Sequence, residues 1–189
     1  EMHLFHISKD RNITTSNITL SQQTDIGSGN IPSAYFFDNG TVLLAYRYTN
    51  INGEQLVFAM AENWTGPYNV INSLPLPVNG EDPYLYRDKR GNFHIIIHLF
   101  NYNLSTVAHA FSEDGYKWTF SKEPCADTTI TFENDDYFKN KTYIFDRRER
   151  PELVFDDNGD LSHYVSAVET HWKDGPGKCL SYTVLTTLQ

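Results

Sequence analysis

Glu81-Asp82-Pro83-Tyr84-Leu85-Tyr86-Arg87-Asp88-Lys89-Arg90-Gly91-Asn92-Phe93-His94-Ile95-Ile96-Ile97-His98 is the stretch on which the fold turns. Proline has a fixed φ and no N–H, so Pro83 belongs at the first residue of a strand. Eight residues on, Gly91 closes a Lys-Arg-Gly tip that supplies the positive φ of a tight hairpin. The apolar run after it reads as the returning strand. The same ruler recurs in Asn30-Ile31-Pro32 through Asp38-Asn39-Gly40 and in Glu149-Arg150-Pro151 through Asp157-Asn158-Gly159. Each unit then offers a third strand: Leu56-Val57-Phe58-Ala59-Met60, Val107-Ala108-His109-Ala110-Phe111 and Leu180-Ser181-Tyr182-Thr183-Val184. Tyr68 and Trp118-Thr119-Phe120 mark a fourth. Short antiparallel strands in repeating sets of four, without helical periodicity, predict an all-β chain built of β-propeller blades. A sandwich is the competing architecture, but it does not call for a Pro-to-Gly ruler used three times.

The opening residues extend the pattern. His3-Leu4-Phe5-His6-Ile7-Ser8-Lys9-Asp10 echoes Ala108-His109-Ala110-Phe111-Ser112-Glu113-Asp114, the third strand and following turn of a blade. Residues 1–189 are therefore expected to form a single propeller fragment. Residues 1–20 would be the tail of one blade, and 21–73, 74–124 and 125–189 three further blades. An open set of blades leaves raw sheet edges. The missing propeller portion is expected from elsewhere in a longer protein or from another chain, and homo-assembly through those edges is a second way to cover them.

Aromatic residues make up 14% of the chain and crowd into these short runs, as suits pleated surfaces. The formal net charge of −9 repels phosphate backbones and anionic lipid, which argues against nucleic-acid and membrane-surface roles. No apolar run approaches the roughly 18 to 20 residues of a membrane-spanning helix, so membrane insertion is not expected. Asn-x-Ser/Thr triplets at Asn12, Asn17, Asn39, Asn63, Asn103 and Asn140 all sit in polar or turn-like stretches, which points to a secreted glycoprotein. In that compartment Cys125 and Cys179 would form one disulfide, with two free buried thiols as the alternative.

Several phrases resemble the five-bladed propellers of the arabinanase, levansucrase and invertase superfamily. They are Asn30-Ile31-Pro32-Ser33 with Gly40-Thr41-Val42-Leu43-Leu44-Ala45-Tyr46-Arg47, Ala61-Glu62-Asn63-Trp64-Thr65-Gly66-Pro67-Tyr68, Glu81-Asp82-Pro83, His109-Ala110-Phe111-Ser112-Glu113-Asp114-Gly115-Tyr116-Lys117-Trp118 and Arg147-Arg148-Glu149-Arg150-Pro151. The resemblance spans nearly the whole chain, and it implies three acidic residues on the innermost strands around a sugar. Asp82 matches the Asp-Pro element that holds hydroxyls or stabilises the transition state. Glu149 looks like the Glu-x-Pro general acid. The first-blade Asp of the family has no counterpart here, and Asn30, in the equivalent turn, can only hydrogen-bond.

Blade geometry leads to the same turns, because the residues ahead of Pro32, Pro83 and Pro151 converge on a central channel. Asn30, Glu81, His98, His109, Arg148 and Arg150 are the candidate sugar-binding side chains around the Asp82–Glu149 pair. Glycoside hydrolysis places two carboxylates across the scissile bond, about 5 to 5.5 Å apart for retention or 6.5 to 9.5 Å for inversion. The arginines flanking Glu149 work against a general acid, since guanidinium depresses a carboxyl pKa; they would also suit a uronate or sulfate clamp. Structural readings stand beside these. Glu81 and Asp82 could cap a turn or pair with Arg148, and Glu149 could belong to an ion-pair network between blades. His94 and His98 share a strand face, as metal ligands or core residues do, and no metal or other cofactor is expected. Trp64 and Trp118, at matching repeat positions, read as blade packing, and Asp156-Asp157-Asn158-Gly159-Asp160 as a hairpin tip. Two functions are thus expected as alternatives: a glycoside hydrolase that acts on or binds a polysaccharide, or a non-catalytic, lectin-like or structural subunit of an extracellular assembly.

Overall fold

The computed structural model describes residues 3–7, 13–17, 20–21, 28–51, 53–77, 79–101, 104–121, 123–133, 140–171 and 179–188. They form sixteen strands and no helix: β1 (His3–Ile7), β2 (Ile13–Asn17), β3 (Leu20–Ser21), β4 (Ser28–Phe36), β5 (Val42–Asn50), β6 (Gly53–Ala61), β7 (Tyr68–Pro75), β8 (Asn79–Arg87), β9 (Phe93–Asn101), β10 (Leu104–Ser112), β11 (Thr119–Phe120), β12 (Thr129–Phe132), β13 (Lys141–Ile144), β14 (Arg147–Phe155), β15 (Leu161–His171) and β16 (Cys179–Thr187). No helix among the described residues is long and apolar enough to cross a membrane.

Three antiparallel meanders follow one another along the chain. Strands β4 to β7 lie in sequence order, with the short β3 added in parallel to β7. Strands β8 to β11 make the second sheet, and β14 to β16 the third, with the β12–β13 hairpin alongside. The sheets are blades, and they do not close into a ring. Hairpin β1–β2 stands apart as a two-stranded sheet.

The Pro-to-Gly ruler resolves into one structural unit built three times. At the tips, the N–H groups of Gly40, Gly91 and Gly159 donate to the carbonyls of Phe37, Asp88 and Asp156 at 2.8 to 3.0 Å. The three glycines have φ of 90°, 94° and 74°, a region that costs any residue with a Cβ. At the other end the prolines behave differently from expectation. Pro32, Pro83 and Pro151 lie inside nine-residue strands, not at their first residues. The ladder accommodates each missing N–H with a bulge: the register jumps between Asn30 and Pro32, between Glu81 and Tyr84, and between Glu149 and Glu152. The residue before each proline is thrown to positive φ, 52° at Ile31, 54° at Asp82 and 53° at Arg150.

Packing between blades is apolar. Leu43, Ala45, Leu56 and Phe58 of the first blade meet Phe93, Ile95, Ile97 and Ala110 of the second in one fully buried cluster. Each large side chain there contributes about 1.5 to 3 kcal/mol by leaving water. Trp118 stacks on Phe58 at 4.2 Å with an 8° interplanar angle, and its indole N–H donates to Gly115 O at 3.0 Å. That places Trp118 in blade packing. The junction of the second and third blades is leaner, with Ile96, Val107 and Tyr164 backed by Tyr84, Ala126 and Leu153. Ile130, Phe145, Val168 and Val184 join the β12–β13 hairpin to the third blade.

The tip geometry has a direct consequence for stability. Gly91→Ala puts a Cβ on a φ of 94° and 3.1 Å from Arg87 Nη2. We expect it to lower unfolding free energy by about 1 to 2 kcal/mol in urea titrations, whereas Lys89→Ala, two residues earlier in the same turn, should stay within about 0.5 kcal/mol.

Candidate functional site

The three bulges set corresponding residues on neighbouring inner strands. Asn30, Glu81 and Glu149 each stand two residues before the proline, and their cross-strand partners are Arg47, His98 and Ala167. Strand β8 packs against β4 on one side and β14 on the other, so these positions face one another. Ligating atoms of Glu81, Asp82, His98 and Glu149 all lie within 4.8 Å of one another. His98 is buried, and the three carboxylates are half-buried.

One guanidinium, a backbone N–H and a hydroxyl hold this cluster. Arg47 Nε donates to Asn30 Oδ1 at 2.9 Å, and its Nη1 donates to Glu81 Oε2 at 3.3 Å. Glu54 Oε1 lies 3.9 Å from the same Nη1. Asp82 Oδ2 accepts the Arg150 backbone N–H at 3.2 Å, which ties the second bulge to the third. Ser105 Oγ accepts the Arg148 N–H at 3.3 Å and lies 3.1 Å from His98 Nε2. A hydroxyl that already accepts from an N–H is free to donate, so we assign its proton to His98 Nε2. The imidazole proton then sits on Nδ1, which has no hydrogen-bond partner and lies 3.7 Å from Glu81 Oε1.

Electrostatics follow from that crowding. Burial raises the Glu81 pKa, the Asp82 charge adds to it, Arg47 pulls it down, and Glu149 raises it further. Burial also lowers His98 to about 4, with Arg147 contributing, so the ring is neutral near pH 7. A neutral N–H donor beside a carboxyl inclined to hold its proton can bind hydroxyls and pass protons. The same three carboxylates and imidazole have the donor chemistry to hold a divalent cation.

The structure brings together Asn30, Glu81, Asp82, His98 and Glu149. Arg150 reaches the cluster through its backbone, while its side chain is exposed. Two other candidates lie elsewhere. Arg148 neighbours Glu149 on a strand, so its side chain points to the opposite face. There it is buried, with its guanidinium 4.8 Å over the Tyr164 ring. His109 bonds His94 at 2.9 Å, and His94 in turn lies 3.2 Å from Asp88 Oδ2. Thus His94 and His98 occupy different environments and do not form a ligand pair. Arg47 and Ser105 were missed in the sequence. Arg47 could have been found by aligning second strands, because it meets Asn30 as His98 meets Glu81; Ser105 carries no local signal.

Of the glycosylation triplets, Asn39, Asn63 and Asn140 are exposed. Asn17 ends β2, with its side chain outside the described residues, as are Asn12 and Asn103. Cys125, expected to pair with Cys179, is an exposed free thiol; Cys179 opens β16, and its side chain is not among the described ones.

Solved structures share this fold. A thermostable family-43 glycoside hydrolase superposes with a TM-score of 0.59 at 12% identity, over 92% of this chain and 57% of that one. The endo-arabinase of Bacteroides thetaiotaomicron gives 0.56 at 15% identity, over 88% of this chain and 60% of that one. The exo-β-1,3-galactanase of Phanerochaete chrysosporium gives 0.54 at 14% identity, over 95% and 39%. The fold is a partial β-propeller like that of these structures. The chain thus spans 57% of the first of these propellers, and identities this low establish shared fold only. No family model matches the sequence, and no curated protein matches it.

The His98 environment predicts a pH response. Its folded pKa of about 4 lies below the ordinary 6.5, so the unfolded chain binds the proton more readily between those values. This contribution to stability is complete above pH 6.5 and is lost as pH falls toward 4, by up to ~3 kcal/mol. Chemical denaturation from pH 7 to pH 4.5 should show a smaller loss for His98→Gln than for the parent. Parallel profiles would place the proton uptake elsewhere.

Proposed function

We propose that this propeller segment carries the sugar-facing centre of a secreted glycoside hydrolase that acts on a polysaccharide. The observation that supports this most is the meeting of Glu81, Asp82, His98 and Glu149 at the bulges of adjacent inner strands. In this reading Glu149 is the general acid and Asp82 holds sugar hydroxyls, while His98 and Asn30 add polar contacts and Arg47 positions Glu81. Carboxylate atoms within 4.8 Å are closer than the roughly 6.5 to 9.5 Å of an inverting pair and inside the roughly 5 to 5.5 Å of a retaining one. The cluster therefore supplies one side of the scissile bond, and the carboxylate opposite it would come from the remaining propeller portion. The substrates of the structural neighbours, arabinan and β-1,3-galactan, are the first to test.

The test uses the full-length protein with reducing-sugar release from those two polymers. Glu149→Gln should lower turnover by roughly 10²- to 10⁴-fold without moving the thermal midpoint. Turnover equal to the parent's would remove Glu149 from the mechanism. The short carboxylate spacing also favours a second reading, a non-catalytic module that binds carbohydrate within a larger assembly. That reading expects polysaccharide binding, measured by affinity electrophoresis, with no release of sugar from any polymer.

Exposure of Asn39, Asn63 and Asn140 supports passage through a glycosylating compartment. Protein from a eukaryotic secretory host should lose mass on peptide N-glycosidase treatment, with deamidation mapped to those three positions. Unmodified asparagine at all three would overturn the assignment.

A further inference from the structure

The lean junction between the second and third blades borders an open cavity of about 690 Å³, apart from the carboxylate cluster. Its size lies within the roughly 300 to 1,000 Å³ typical of small-molecule sites. Ile96, Val107, Leu153 and Leu161 give it apolar walls, and Tyr86 and Tyr164 give it flat ones. Into this space comes Arg148, only 6% exposed. A buried guanidinium ordinarily has a carboxylate partner, because desolvating an unpaired charge costs several kcal/mol. Arg148 has none among the described residues. Its Nε donates to Ser166 Oγ at 3.0 Å, Nη1 to the Asp127 carbonyl at 3.2 Å, and Nη2 to Thr186 Oγ1 at 3.3 Å. Asp127 is the one acid on the described lining. It is exposed, and its Oδ1 accepts the Thr129 N–H.

A guanidinium has five N–H donors, more than the neutral partners around it use up. The buried Tyr164 hydroxyl, in the residue beneath the guanidinium, interacts with Arg148 and Ser166. A second group of donors lines the cavity: His109, stacked at 5.2 Å on His94, which stacks at 4.9 Å on Tyr86. Asp88 holds the middle ring of that stack, His94. The cavity thus holds a buried cation without a carboxylate ion pair, further polar hydrogens, and planar apolar walls.

We propose that this cavity binds a small organic carboxylate with a flat apolar body, its carboxylate on Arg148 and its ring among the apolar walls and Tyr86. The site is independent of the glycosidase reading, since none of its residues belongs to the carboxylate cluster.

Benzoate and its neutral isostere benzamide are the probes, titrated into the full-length protein by calorimetry, with the His109 and His94 imidazole signals followed by NMR. Charge-assisted hydrogen bonds to Arg148 should make benzoate roughly tenfold to a hundredfold tighter than benzamide. The two histidines should shift on titration. Arg148→Met should remove that preference. Since loss of Arg148 can also disturb folding, Leu161→Trp provides a second arm, filling the cavity from its partly exposed rim with Arg148 intact, and should weaken benzoate at least about tenfold. Glu149→Gln should leave benzoate affinity unchanged. Equal binding of benzoate and benzamide, no binding of either, or benzoate affinity that depends on Glu149 and not on Leu161 would overturn the site.

Discussion

A proline placed inside a strand has to be accommodated by the ladder, and that constraint organises this protein. Pro32, Pro83 and Pro151 each remove a donor from a nine-residue inner strand, and each time the chain answers with a bulge and one residue at positive φ. The twist at the bulge re-aims the side chain ahead of it. Because the three inner strands are neighbours, three local distortions become one shared centre. Backbone chemistry thus places Asn30, Glu81 and Glu149, and the carboxylates cluster as a consequence of where the bulges fall.

Like charges brought so close have to be compensated, and the cluster manages it asymmetrically. Arg47 serves Glu81, a backbone N–H serves Asp82, and the neutral His98 adds a donor without adding charge. Arg148 would have been the obvious counter-charge by sequence position, yet strand alternation sends it to the next blade junction. The neighbouring residues Arg148 and Glu149 therefore belong to different regions of the molecule, one to a cavity between blades and the other to a half-buried acidic centre. Strand pleating sends the two side chains to opposite faces.

How far the sequence could be read depended on how local each signal was. The Pro-to-Gly ruler is a short-range pattern, and it identified the inner hairpins, their tips and the all-β class. Asp82 and Glu149 were legible because they sit next to the prolines that mark the repeat. His109 was misplaced because it lies on the third strand of its blade, where sequence gives the face but not which neighbour that face meets. Arg47 went unnoticed because its partner Asn30 lies across a hairpin.

The chain alone determined its propeller class, its hairpin tips and the residues that would stand before each inner-strand proline, since these rest on φ restrictions and donor loss within a few residues. Only the tertiary structure decided that those residues meet within 4.8 Å, that His98 joins them neutral, and that Arg148 leaves them for a cavity between blades. The physical reason is that bulge direction, strand alternation and blade-to-blade packing together set which side chains share a space. The last of these depends on contacts between segments far apart in the chain.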